Sequence, residues 1–404
     1  MNTLLARYRS ALTYPGMARV MSATFIAYLL AGMMNLSLLM ATERITGSYA
    51  AAGLVAGAYS VALAFTAPVW GRVVDRRGPR WPLALTVALQ AGMVAGFMIV
   101  SLLSGATVLL AVTAFLAGVC TPPSSAVARR VMMTVRDDQV QRTLFAMSGF
   151  FTECVFVIGP LVVAAITLYL NPLWAVAVAA AAAAVGALVL RGSGPVRELD
   201  RSHGQPNGTT RGQASWNARQ VRIFIVITLG AFAIGAVQVS IVAHAQALGT
   251  SAGIFVATVA IGGVVGSFLY GGLTLPGALP IQLVVSLGLY GALILSLMTA
   301  PGLVLSLVLL VLIGAATGPA DAIEALLVGE YTPPAIQTQA FAVLVTANWV
   351  GFALGSAVGG VLIEDVALSA GVAAAGVGAL IAAALVLIPL VTMARTSSEA
   401  TTTD

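Results

Sequence analysis

Uninterrupted apolar stretches of about 20 to 25 residues recur along the chain, each ended by a short polar turn. A helix needs about 20 apolar residues to cross a ~30 Å hydrocarbon core, so every stretch has the length of a membrane span. The stretches fall at 17–42, 50–70, 81–104, 106–128, 143–168, 172–190, 221–246, 251–272, 279–299, 302–328, 338–362 and 366–391. Only 8% of the 404 residues are charged, where a soluble domain carries roughly 25%. Membrane β-barrels are excluded, because their strands are about 10 residues long and alternate strictly. The expected fold class is an all-α integral membrane protein with about 12 transmembrane helices.

The arginines test that count. Arg7, Arg9 and Arg19 precede the first span, Arg72, Arg76, Arg77 and Arg80 follow the second, and Arg129, Arg130, Arg136 and Arg142 follow the fourth. Six more, from Arg191 to Arg222, follow the sixth, and Arg395 follows the last. All basic residues but Arg44 thus lie on one side, which the positive-inside rule makes cytoplasmic. The expected location is a bacterial inner membrane, crossed many times, with both termini in the cytoplasm. Residues 1–16 read as a cytoplasmic lead-in, because the run after them is too long for a signal-peptide core. The all-arginine basic set hints at a GC-rich genome. A pI near 9.6 reflects these membrane-flanking turns and gives no reason to expect nucleic acid as a partner. Cys120 and Cys154 lie inside apolar segments, and His203 and His244 have no partner at ligand spacing, so neither a disulfide framework, a metal nor another cofactor is expected.

Residues 191–220 are polar and rich in Gly, Ser and Arg. They read as a flexible cytoplasmic linker between a six-helix bundle at 1–190 and a second at 221–395, with a disordered tail at 396–404. The halves look related. T-G-S-Y-A-A-A-G (46–53) opens span 2 and L-G-T-S-A-G (248–253) opens span 8, each with a hydroxyl residue suited to an N-cap and a glycine about 23 residues on. The second half has T-L-P-G-A-L-P (274–280) where the first has a charged turn.

That charged turn, G-R-V-V-D-R-R-G-P-R (71–80), reads as a short water-facing connection between spans 2 and 3. It resembles the loop signature of the major facilitator superfamily, with Gly71, Asp75, Arg76, Gly78 and Arg80 matching and Pro79 standing where a basic residue is usual. Gly159-Pro160 in span 5 is similar to the Gly-Pro signature of the antiporter branch, and the chain resembles actinobacterial drug- or metabolite-exporter-like members. The resemblance implies two six-helix bundles, a central cavity lined by spans 1, 4, 7 and 10 and flanked by 2, 5, 8 and 11, and an inner gate at Gly71–Arg80. The intramembrane arginine that many proton-coupled exporters carry in span 4 is absent from A-G-V-C-T-P-P-S-S-A (117–126).

Charge is costly in hydrocarbon, so ionisable groups inside spans are the functional candidates. Glu153 lies about ten residues into span 5, near the midplane at ~1.5 Å per residue. It is a candidate for proton coupling and for substrate binding; the alternative is a neutral acid bonded to a neighbouring helix. Asp321, three residues from Glu324 on one face of span 10 and the more deeply embedded of the two, is the second proton-site candidate. Pairing of these acids with the Arg-rich turns is the structural alternative. Asn35, Tyr59, Gln238, Asn348 and Trp349 are polar residues at useful depth on cavity-lining or flanking spans. They complete the expected substrate set, each being equally suited to helix-packing contacts. Gln90 on span 3 is expected at the periphery. Pro122-Pro123 and Pro160 should kink spans 4 and 5, and Gly351, Gly355 and Gly359 should allow close helix approach.

With no Walker loop and no lysine, an ATP-driven pump is not expected, and no clustered interfacial residues suggest an enzyme. The expected function is secondary transport by alternating access: proton-coupled efflux of a small hydrophobic or amphipathic compound by a monomer in the lipid bilayer. The alternatives are proton-coupled uptake of a small polar metabolite and a non-transporting sensor of the same fold.

Overall fold

The computed structural model describes residues 2–103, 105–204, 216–250, 252–273, 275–298 and 302–401. The chain divides into two compact units, Met1–Ala214 with Thr332–Thr346, and Ser215–Tyr331 with Ala347–Asp404. The first contains α1 (Asn2–Thr13), α2 (Met17–Thr46), α3 (Tyr49–Arg77), α4 (Arg80–Leu103) and α5 (Thr107–Val119). It continues with α6 (Ser124–Met132), α7 (Asp138–Tyr169), α8 (Pro172–Arg191) and α9 (Gly194–Gly204). The second contains α10 (Ala218–Ala247), α11 (Ala252–Gly272), α12 (Leu279–Leu297), α13 (Leu303–Tyr331) and α15 (Leu368–Thr401). Between the last two, α14 (Gln337–Asp365) places residues 337–346 in the first unit and the remainder in the second.

Twelve segments among the described residues are long and apolar enough to span a bilayer, with α5 and α6 together forming one of them. Their ends follow local chemistry. Gly47, at φ +65°, closes α2, and the Ser48 hydroxyl caps α3 by accepting from Ala51 N at 3.2 Å. Asn171 caps α8 ahead of Pro172, a residue that fits a first helical turn. Side chains such as Phe65, Leu103 and Val304 stay largely exposed, the side a bilayer would cover. Lipid tails are as apolar as leucine, so each unit is held by close packing more than by exclusion of water. Met33, Phe97 and Leu110 anchor one core, and Phe255, Ile294 and Leu310 the other.

The sequence repeat is visible as repeated packing. In the first unit α2 packs on α8, α3 on α5, and α4 on both α5 and α8. In the second, α10 packs on α15, α11 on α13, and α12 on both α13 and α15. Those are the same pairings six spans apart.

Three local features differ from the expectations. The charged run 71–80 is mostly helix, because α3 continues to Arg77 and α4 begins at Arg80. Arg76 and Arg77 in the last turn suit the negative end of the helix dipole. Residues 194–204 of the polar segment form α9, which buries Val196 and Leu199, three apart, against the ends of α3, α4, α6 and α8. The last helix extends to Thr401, through most of the segment expected to be disordered; residues 402–404, like 205–215 of the expected linker, lie outside the described residues.

Candidate functional site

The run Gly71–Arg80 is built around the first turn of α14. The Asp75 carboxylate accepts the Thr338 N–H at 3.0 Å through Oδ1 and the Gln339 N–H at 2.7 Å through Oδ2. The Thr338 hydroxyl donates to the same carboxylate, and the Arg130 guanidinium stands near it. These are amides that a helix leaves without partners at its start, and an anion there also opposes the helix dipole. Arg72 Nε donates to Gln339 Oε1 at 3.3 Å, and Arg130 Nη1 donates to Gln337 Oε1. Approach this close needs Gly71. A Cβ there would lie 2.7 Å from Gln339 Cα and 2.9 Å from Thr338 O, so even alanine would press on backbone.

The second half of the run closes on α9. Gly78, at φ +81°, ends α3, and a Cβ there would lie 2.5 Å from Asp200 Oδ1. Asp200 accepts the Arg80 N–H at 3.3 Å and lies 4.0 Å from its guanidinium, while Arg191 Nε donates to Arg80 O at 3.0 Å. Arg77 stacks over Trp81 at 5.2 Å, and Arg76 is exposed. The repeat-related helix α7 needs no such help, because its own Asp137 caps it, accepting from Gln139 N and Val140 N at 2.9 Å each.

The second constellation forms where the fourth span breaks. Pro122 and Pro123 have no N–H, so Gly118 O and Val119 O lose their helical donors, and the span divides into α5 and α6. Trp70 Nε1 donates to Val119 O at 2.7 Å, and Thr121 N takes Gly118 O at 3.2 Å. The Thr121 hydroxyl then becomes a node: Tyr59 OH lies 3.2 Å away and Gln90 Nε2 donates to it at 3.0 Å. Tyr59 and Gln90 are both buried within the first unit. Nearby on α2 and α3, Ser60 donates to Asn35 Oδ1 at 3.0 Å.

The other candidates are distributed between the units. Glu153 is half-buried on α7, about 160° round the helix from Val155, the residue that packs on α2. Asn348 is half-buried, Trp349 packs edge-on against Phe352 with centroids 6.2 Å apart, and Gln238 is exposed, all three in the second unit. There Asp321 is half-buried, whereas Glu324 is 6% exposed, with its Oε1 placed 3.5 Å from where a Cβ on Gly230 would be. Protein encloses Glu324 more fully than Asp321.

Several participants were not singled out from the sequence. Thr121 and Trp70 had a readable signal, since a Pro-Pro pair in a span must leave two carbonyls in need of donors. Thr338 and Gln339 had none, as their partner lies more than 260 residues away. Arg129 is 6% exposed on α6, and its Nε and Nη1 have no partner among the described residues. It follows the segment judged to lack an intramembrane arginine, but α6 carries the fourth span on to Met132.

Comparison with curated proteins finds no match. Among solved structures, the chain is similar to the human organic anion transporter MFSD10 (TETRAN), with TM-score 0.71, 16% identity, and 91% of this chain and 99% of that chain covered. It is similar to a bacterial homologue of the iron transporter ferroportin in an outward-facing state, with TM-score 0.73, 12% identity, and 92% and 98% covered. The proton:xylose symporter XylE follows at TM-score 0.67 and 15% identity, with 90% and 94% covered. At such identities these likenesses establish the fold. The family model for the Major Facilitator Superfamily matches residues 20–276, and with the twelve spans and the paired packing of the two units it places this chain in that superfamily as a multi-pass membrane transporter.

Proposed function

We propose that the protein exports small hydrophobic or amphipathic compounds in exchange for protons, by alternating access, from a membrane whose cytoplasmic side carries the arginine-rich turns. The observation that carries this reading is the neutral character of the node at the broken span: Tyr59, Thr121 and Gln90 offer hydrogen bonds and no charge. Neutral polar groups among apolar side chains suit an amphipathic ligand, and discontinuous helices are where many transporters built from internal repeats place their sites. Proton coupling falls to Glu153, with Asp321 as the second acid; XylE, of the same fold, is a proton:xylose symporter. Asn35, Gln238, Asn348 and Trp349 complete the proposed substrate contacts. Asp75 acts at the inner gate, releasing the start of α14 once in each cycle.

Cells with and without the protein, exposed to a panel of lipophilic dyes and drugs, test the direction. Lower accumulation in the expressing cells supports export; higher accumulation overturns it in favour of uptake. A second reading rests on Arg129, whose buried Nε and Nη1, without partners among the described residues, suit an anionic substrate, as the organic anion transporter of the same fold handles. Loss of organic-anion flux in Arg129→Gln, with lipophilic-cation flux intact, would select it.

A further inference from the structure

α2 and α7 cross where neither has room for a side chain. A Cβ on Gly32 would lie 2.3 Å from Val155 O, and one on Gly159 2.6 Å from Gly32 C. Pro160 follows at once and removes the helical donor to Phe156 O. One turn beyond this crossing the two helices bound a cleft of about 400 Å³, between Leu36 and Met40 on α2 and Ala164 and Leu168 on α7. Glu43 and Arg44 line its far end, at the last turn of α2.

Those two charges have no structural employment. Among the described residues neither the Glu43 carboxylate nor the Arg44 guanidinium has a hydrogen-bond or ion-pair partner, and the two are not bridged to each other. Arg44 is also the one arginine that breaks the charge asymmetry of the chain. Eight residues separate Leu36 from Arg44, a rise of about 12 Å along the helix. With Arg44 at the membrane surface, Leu36 therefore lies well inside a hydrocarbon leaflet about 15 Å deep. Both charges and the apolar wall thus line up as the head and the upper chain of a membrane lipid do.

We propose that this cleft binds a phosphatidylethanolamine molecule of the leaflet opposite the arginine-rich turns. Its phosphate meets Arg44, its primary ammonium meets Glu43, and one acyl chain lies along Leu36, Met40 and Leu168. A guanidinium suits phosphate oxygens, and a primary ammonium brings three donors to a carboxylate. Phosphatidylglycerol has no ammonium, so its phosphate would approach Glu43 uncompensated. A soluble zwitterion would leave the apolar wall unused.

The test uses the full chain in phosphatidylcholine nanodiscs doped with phosphatidylethanolamine or phosphatidylglycerol bearing a photoreactive acyl chain. Phosphatidylethanolamine should label peptides containing residues 36–44 and 161–168, and phosphatidylglycerol roughly tenfold less, the factor for one charge-assisted hydrogen bond. Glu43→Gln should erase that preference, and Ala164→Phe, which fills the cleft, should remove the labelling. If Ala164→Phe fails to fold, Glu43→Gln still decides, because among the described residues its side chain is tied to no protein group. Equal labelling by the two lipids, or preference unchanged in Glu43→Gln, would overturn the proposal. So would full competition by glycerophosphoethanolamine, which has the head and no chains and would identify a soluble zwitterion instead.

Discussion

Replacing Asp75 with asparagine probes the contact between the charged run and α14 most sharply. Asparagine keeps the size of the side chain and one of its acceptor oxygens. It loses the charge and turns an NH₂ group toward one of the two amides that Asp75 holds at 3.0 and 2.7 Å. Hydrogen bonds to charged groups contribute about 1.5–3 kcal/mol each, and a charge at a helix N-terminus adds about 0.3–1 kcal/mol. Asp75 is only partly buried, so the low end applies, about 2 kcal/mol against the bound arrangement. That is a factor of about 30 in the population with α14 released. Hydrogen–deuterium exchange of a peptide spanning 334–346 reads this directly: Asp75→Asn should speed exchange at Thr338 and Gln339 roughly 30-fold, with α7 exchange unchanged because Asp137 caps that helix itself. In transport, kcat should change while the apparent substrate affinity holds. Unchanged exchange with a pure affinity loss would refute the latch.

Glu153→Gln should abolish pH-dependent flux while leaving folding and substrate binding in place; flux with the wild-type pH dependence would remove Glu153 from the coupling path. Trp70→Phe deletes the donor to the part-buried Val119 O, a cost of about 1 kcal/mol, visible as a lower melting temperature in detergent; an unchanged melting temperature would mean that water takes the place of the indole. Gly355→Ala should destabilise the second unit by about 1–3 kcal/mol or prevent its assembly, because a Cβ there would lie 1.9 Å from Phe232 O; thermal unfolding measures it, and a neutral result would contradict the close α10–α14 contact. Tyr59→Phe should weaken substrate binding with little change in stability, since Thr121 keeps Gln90 as partner; substrate-induced thermal shifts would show otherwise if they stayed the same.

The spans were legible because crossing a bilayer demands length and apolarity together, and little else in a chain imitates that combination. Arginine placement then made the count checkable. The exact ends were less legible: α3 runs on through its arginines, because charged residues favour a helix's last turn as readily as a loop. Helix α9 carries no readable period because, among its described side chains, it buries just Val196 and Leu199, too few for a periodic signal in a polar segment. At the site, the Pro-Pro break was readable but its consequence was not. Which side chain answers a freed carbonyl depends on a neighbour such as Trp70, 49 residues away. The same limit hid Thr338 and Gln339.

The measurement that bears most directly on the proposed function is proton-driven flux through the purified full chain in proteoliposomes. With the interior acidified, lipophilic cations such as ethidium should accumulate inside as protons leave, and accumulation should stop when the gradient is collapsed or Glu153 is replaced by Gln. Movement of such compounds with the protons, or no gradient-dependent movement across the whole panel, would contradict proton-coupled export.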